Sequence, residues 1–214
     1  TMSELHCVMV GGFANVAGGV MGLYVATLQG IDGIAGHLMT MSIMSAPASI
    51  VIAKMMLPET AVAETAGSLP IDVARVDRNA VEAISRGASE GMALLLNVAA
   101  MLIAFVAMVA LVNAILGWVG DLAGLDLSLQ RILGWVFTPF AFFMGIPWNE
   151  APAVGRLLGE KMVLTELVAF FHLGDMLKAS EPVLSYRSAT ITSYALCGFA
   201  NFASIGIQIG GISG

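Results

Sequence analysis

The chain has 214 residues, 58% hydrophobic and 11% charged, with a formal charge of −6 and a mean hydropathy of +0.88. Soluble domains run at about 45–50% apolar and about 25% charged residues, so composition excludes one and predicts an all-α polytopic membrane protein of roughly five or six segments. The acidic balance argues against nucleic acid as a partner, because phosphate binding needs clustered Lys and Arg.

Residues 5–28 read as a first span carrying Gly11, Gly12, Gly18, Gly19 and Gly22. Each glycine weakens a helix, so the middle of this span is expected to be unwound. Residues 34–57 read as a second span, interrupted by SAPAS at 45–49, where Pro47 removes a backbone donor, and closed by Pro58-Glu59. Residues 1–57 thus form a broken helix and its partner.

Residues 58–90, PETAVAETAGSLPIDVARVDRNAVEAISRGASE, are a polar connection whose second half reads as an amphipathic helix. Lys54, Arg75, Arg78 and Arg86 place it on the cytoplasmic side by the positive-inside tendency. Residues 91–118 are the cleanest span and read as a scaffold or lipid-facing helix. Residues 128–146 are short, aromatic and broken by Pro139; with Trp118, Trp135 and Trp148 close by, they are expected to lie in the membrane interface. The pieces 152–164 and 167–178 are each too short to cross a core of ~30 Å. Together they suggest a re-entrant hairpin over 150–180. Residues 188–214 hold another glycine-rich span.

The first and last spans share a tetrapeptide. Gly12-Phe13-Ala14-Asn15 returns as Gly198-Phe199-Ala200-Asn201. With 58–90 cytoplasmic, the two copies cross in opposite senses, which predicts an inverted-repeat transporter fold with helices broken at the midplane. The opening TMSELHCVMV lacks a signal-peptide pattern and the closing IGGISG has no polar tail. Both ends read as cut, and an interior piece of a longer, transporter-sized protein is expected.

Glu166 is the most informative residue, an acid in the apolar stretch KMVLTELVAFF. Placing an acid near the bilayer centre costs roughly 2.5–3.5 kcal/mol on insertion scales, which points to a polar ligand site. The structural alternative is a carboxylate paired with Lys161 or a helix N-terminus. Asn15 and Asn201 offer amide oxygens where unwound backbone frees further carbonyls; the alternative is an interhelical hydrogen bond. Ser204 lies one turn after Asn201 and adds a hydroxyl, while Phe13 and Phe199 could stack on a flat ligand. Cys7 and Cys197 read as small buried hydrophobes. His6, His37 and His172 read as packing or interfacial residues, and the 14 methionines as gap-fillers.

Four stretches resemble the concentrative nucleoside transporters. The signature G-x-K-x-x-x-N-E-F/L-V-A appears as GEKMVLTELVAF from Gly159 to Phe170, and YALCGFANFSSIG appears as YALCGFANFASIG from Tyr194 to Gly206. SELHCVMVGGFANVAGGV and PFAFFMGIPWNEA match further family segments, so the resemblance covers nearly the whole chain. Thr165 stands where the family has Asn, Asn15 where Thr or Ser is usual, and Ala203 where Ser is frequent.

This resemblance implies a symporter of the plasma membrane that imports nucleosides with sodium, or a proton, by alternating access. It implies that Glu166 and Asn201 hold the ribose hydroxyls with Ser204 and Phe199 beside them, and that Val20 packs near the nucleobase. Asn15 and the Val16 carbonyl would form half of a sodium site, with no other cofactor. A homotrimer follows, with 91–118 near its core and lipid around it, as does a first hairpin before Thr1 and another helix after Gly214. Rival readings are a non-transporting membrane assembly or sensor protein that keeps the fold, and an intramembrane enzyme using Glu166. The enzyme needs a second catalytic group at hairpin depth, and no nearby His or Asp is expected to serve there.

Overall fold

The computed structural model describes residues 2–16, 18–60, 77–179 and 183–212, which fold into nine helices and no strand. The middle of the polar connection, including Arg75, and the last two residues lie outside the described residues. In chain order the helices are α1 (Met2–Ala14), α2 (Gly18–Thr27), α3 (Ile34–Met56), α4 (Ala80–Ala123), α5 (Leu129–Phe143), α6 (Ala151–Val163), α7 (Glu166–Lys178), α8 (Tyr186–Leu196) and α9 (Phe202–Ile212). Three described stretches are long and apolar enough to cross a membrane: 3–27, 34–56 and 80–122, with mean hydropathies of 1.6, 1.4 and 2.7. The remaining apolar sequence is cut into helices of 11 to 15 residues, which is why fewer full spans are found than composition predicts.

Two expected boundaries differ. SAPAS does not interrupt the second span, because α3 runs unbroken through Pro47. Proline removes one donor from the ladder, and the helix continues on either side of it, with the Ser45 and Ser49 hydroxyls turned back towards the Ser42 and Ala46 carbonyls at 2.9 and 2.8 Å. Nor does a break separate the amphipathic helix of the connection from the scaffold span. α4 is one helix of 44 residues, about 66 Å long at 1.5 Å per residue, so its polar first turns reach well beyond a ~30 Å hydrocarbon core. Gly87 and Gly91 lie at the join of the two stretches, and no other element crowds either of them. The start is set upstream instead. The Asn79 side chain accepts from Glu82 N at 2.9 Å and the Glu82 carboxylate accepts from Arg78 N at 2.9 Å, much like a capping box. Arg86 bonds Asp77 at 2.8 Å and Glu90 at 3.0 Å, and its guanidinium holds the Asp77 carboxyl below its usual range.

The buried core lies where α2, α6, α7 and α8 meet, around Tyr24, Leu28, Leu157, Phe170, Leu173 and Leu196. α4 packs along α9, where a β-carbon on Gly206 would meet Phe105, while other side chains, such as Ile103 and Leu111 at 71% and 62% exposed, face outward as on a membrane helix. α5 and α6 are joined through Gly145, at φ 93°, and pack antiparallel. Gly134, Gly155 and Gly159 let the two backbones touch: a β-carbon on Gly159 would sit 2.7 Å from Gln130 O and 2.8 Å from Gly134 N. Small residues four apart allow this close approach in membranes. Gly159→Ala is therefore expected to destabilise by about 1–3 kcal/mol, the usual cost of overpacking, seen as a lower melting temperature in detergent. Gly36→Ala, with nothing within 4 Å of the added carbon, should melt no lower than the wild type.

Candidate functional site

Three helix breaks position the polar groups. The first lies between the end of α1 at Ala14 and the start of α2 at Gly18, and includes Asn15 and Val16. The second spans Cys197 to Asn201, between α8 and α9. Both fall on the repeated tetrapeptide, and its copies touch. Gly198 has φ 120°, and a β-carbon there would lie 3.2 Å from Ala14 O and 3.4 Å from Phe13 O. Glycine is required on both grounds. α9 then crosses α1 at Gly12, against which the Gln208 amide rests. With its amide oriented so that both atoms find partners, Gln208 donates to Met9 O at 3.3 Å and accepts from Phe13 N at 3.1 Å, bridging two ends of one helical turn.

The third break, at Leu164 and Thr165, separates α6 from α7 and puts Glu166 in the first turn of α7. Glu166 is 6% exposed. Its Oε1 accepts from the Tyr24 hydroxyl at 3.1 Å and its Oε2 accepts from Asn201 Nδ2 at 2.9 Å. A helix N-terminus favours the negative charge, and an acid without partners would be far more costly here. Lys161 makes no direct ion pair with it, although the two charges are close enough to interact; its ammonium donates to Ala195 O at 3.1 Å, near the C-terminus of α8, where a cation suits the helix dipole.

Asn201 has a second task. Its Oδ1 accepts from Ser204 N at 2.7 Å, while Ser204 Oγ donates to Asn201 O at 2.7 Å and accepts from Asn201 N at 3.0 Å. These reciprocal bonds start α9 and engage the Ser204 hydroxyl locally, which the sequence reading left open to ligand. Asn15 points elsewhere. Its Nδ2 donates to Gly11 O at 2.9 Å and its Oδ1 accepts from Ser45 Oγ at 2.6 Å, which ties it to α3 rather than to Glu166. Val16 and Val20 are half-buried and pack on the edge of the core, and Phe199 is half-buried at the second break.

Sequence reasoning missed Tyr24, Ser45 and Gln208. Tyr24 was detectable as the one phenol within residues 5–28; it is 1% exposed and stacks on Phe170 with ring centroids 4.3 Å apart. Two histidines take side-chain partners, His37 the Tyr194 hydroxyl at 2.9 Å and His172 the Glu160 carboxylate at 2.6 Å, while His6 buries Nε2 with no hydrogen-bond partner among the described residues. Cavities of about 670 and 640 Å³ lie between α5 and α6 and between α3 and α8, and Glu166 lines neither. The buried carboxylate marks the site better than open volume does, since burial of an acid has a cost that empty space lacks.

Helices interrupted within apolar sequence, with polar groups gathered where the interruptions meet, define the class: a membrane protein built in the manner of secondary transporters. The chain belongs to the family described as "Na+ dependent nucleoside transporter C-terminus", which it matches over residues 37–214. It is 42% identical over 226 aligned positions to solute carrier family 28 member 3 of Mus musculus, covering 100% of this chain and 32% of that protein. It is 43% identical to the uncharacterized transporter YutK of Bacillus subtilis (strain 168), covering 100% of this chain and 52% of that one. Among solved structures, a doubly substituted CNTnw in an outward-facing state is 40% identical and superposes with a TM-score of 0.84 over 100% of this chain and 50% of its own. The chain thus spans between a third and about half of the proteins it matches.

Proposed function

We propose that this chain is the C-terminal part of a secondary active symporter that imports nucleosides with a cation by alternating access around a midplane site. One observation carries the reading: the Glu166 carboxylate, buried where two broken helices and the α6–α7 pair meet, and held at both oxygens by Tyr24 and Asn201. An ionised carboxylate has about four acceptor positions, and charge-assisted bonds to it are the strong ones. A ribose diol is the part of a nucleoside that suits it. Glu166 and Asn201 bind the sugar hydroxyls, Phe199 and Ser204 border them, and Val20 lies towards the base.

The coupling cation is sodium, or a proton in its place. Hard cations take oxygen ligands, and the first break offers the Asn15 amide oxygen, the Ser45 hydroxyl beside it at 2.6 Å and the Val16 carbonyl. In this reading α6 and α7 form a re-entrant hairpin, the two tetrapeptide helices belong to inverted repeats, α5 lies in the interface of the plasma membrane, and α4 stands near the axis of a homotrimer. The test uses the full-length protein in proteoliposomes. Labelled uridine or adenosine accumulates under an inward sodium gradient, with a proton gradient as the second arm. Absence of uptake under both would overturn the proposal.

A further inference from the structure

We infer that Tyr24 is a positioning residue that fixes the Glu166 carboxylate for reading two adjacent hydroxyls. The inference rests on the nucleoside reading above and adds a residue that the sequence motifs do not pick out.

Tyr24 sits on α2, the second half of the first broken helix, while Glu166 starts α7. The phenol is 1% exposed, and its hydroxyl donates to Oε1 at 3.1 Å. Its ring is clamped against Phe170, with the planes 21° apart. Phe170 itself is wholly buried and lies one turn along α7 from Glu166. The hydroxyl is therefore held at a fixed point relative to the carboxylate.

On the other side, Asn201 Nδ2 reaches Oε2 at 2.9 Å. The Asn201 amide is held in its turn, because its Oδ1 accepts from Ser204 N. The carboxylate is thus gripped at both oxygens by groups from two separate elements. The terminal torsion of glutamate is otherwise broad. Gripped in this way, its plane is set before any ligand arrives.

A set plane matters for a diol. With one acceptor position used on each oxygen, each keeps room for a further donor. Two hydroxyls on adjacent carbons can engage both at once. If the carboxylate were free to turn, that ordering would have to occur on binding, at a loss of affinity. A ligand with a single hydroxyl gains little from the fixed plane. Tyr24 therefore acts on the discrimination between ribose and deoxyribose more than on binding in general.

Tyr24→Phe removes the hydroxyl and keeps the ring on Phe170. The measurement is initial-rate uptake of uridine and of 2′-deoxyuridine by the full-length protein in proteoliposomes. The KM for uridine should rise about tenfold, in line with loss of one hydrogen bond to a charged group. The KM for 2′-deoxyuridine should rise much less, and maximal rates should be retained, so that preference for the ribonucleoside collapses. Equal rises for both compounds, or a fall in maximal rate alone, would mean that Tyr24 only packs, and would overturn the inference. So would kinetics identical to wild type. A wild-type protein that takes up neither compound removes the nucleoside reading itself. Normal wild-type uptake with an indifferent Tyr24→Phe removes this inference alone.

Discussion

The full-length protein carrying Glu166→Gln is expected to lose nucleoside uptake by at least about 100-fold while still inserting in the membrane. The size follows from the two bonds at stake. Hydrogen bonds to charged groups contribute about 1.5–3 kcal/mol each, and each 1.4 kcal/mol is about tenfold, so weakening both sugar contacts gives about two decades or more. The fold survives for a local reason. Asn201 cannot turn its amide, since Oδ1 caps α9 through Ser204 N at 2.7 Å. The new glutamine must then present its oxygen to Asn201 and its nitrogen to Tyr24, whose hydroxyl can rotate to accept. Every buried polar group keeps a partner. Uptake normalised to the amount of protein in the membrane is the measurement, and an unchanged rate would remove Glu166 from the site.

Repetition and cost made part of this arrangement legible in the sequence. Two copies of one tetrapeptide in apolar runs marked where helices would break, because glycine and asparagine are poor choices in an uninterrupted membrane helix. Glu166 announced a polar junction through its desolvation cost alone. Other features depend on distance in space, which spacing along the chain does not encode. Nothing in MGLYVATLQG says that Tyr24 will meet residue 166, or in GIQIGG that Gln208 will bridge Met9 and Phe13. Lys161 was the obvious charge partner for Glu166 by proximity in sequence. The turn at Leu164 and Thr165 sends its ammonium to Ala195 instead. The two asparagines look alike as letters and diverge in space: Asn201 opens α9 and reaches Glu166, while Asn15 folds back on Gly11 and meets Ser45. Pro47 and the glycines of α4 show the opposite limit, since breaker residues do not by themselves break a helix that continues on either side of them.

The double duty of Asn201 gives a prediction that separates helix initiation from ligand chemistry. Its Oδ1 caps α9 and its Nδ2 holds Glu166. Serine is about as good a cap as asparagine, whereas alanine forfeits about 1 kcal/mol. Both replacements discard the amide nitrogen and leave Oε2 of a carboxylate that is 6% exposed without its donor, which costs about 1.5–3 kcal/mol. Asn201→Ser and Asn201→Ala should therefore lose uptake to a similar extent, by more than about tenfold. They should differ in thermal stability in detergent, with the alanine variant melting lower by the lost cap. Were the site indifferent to Asn201, the serine variant would transport normally and only the alanine variant would suffer, through the disordered start of α9. Uptake that tracks melting temperature across the pair would thus make Asn201 a cap alone, and uptake lost equally in both would place its amide on the reading face of Glu166.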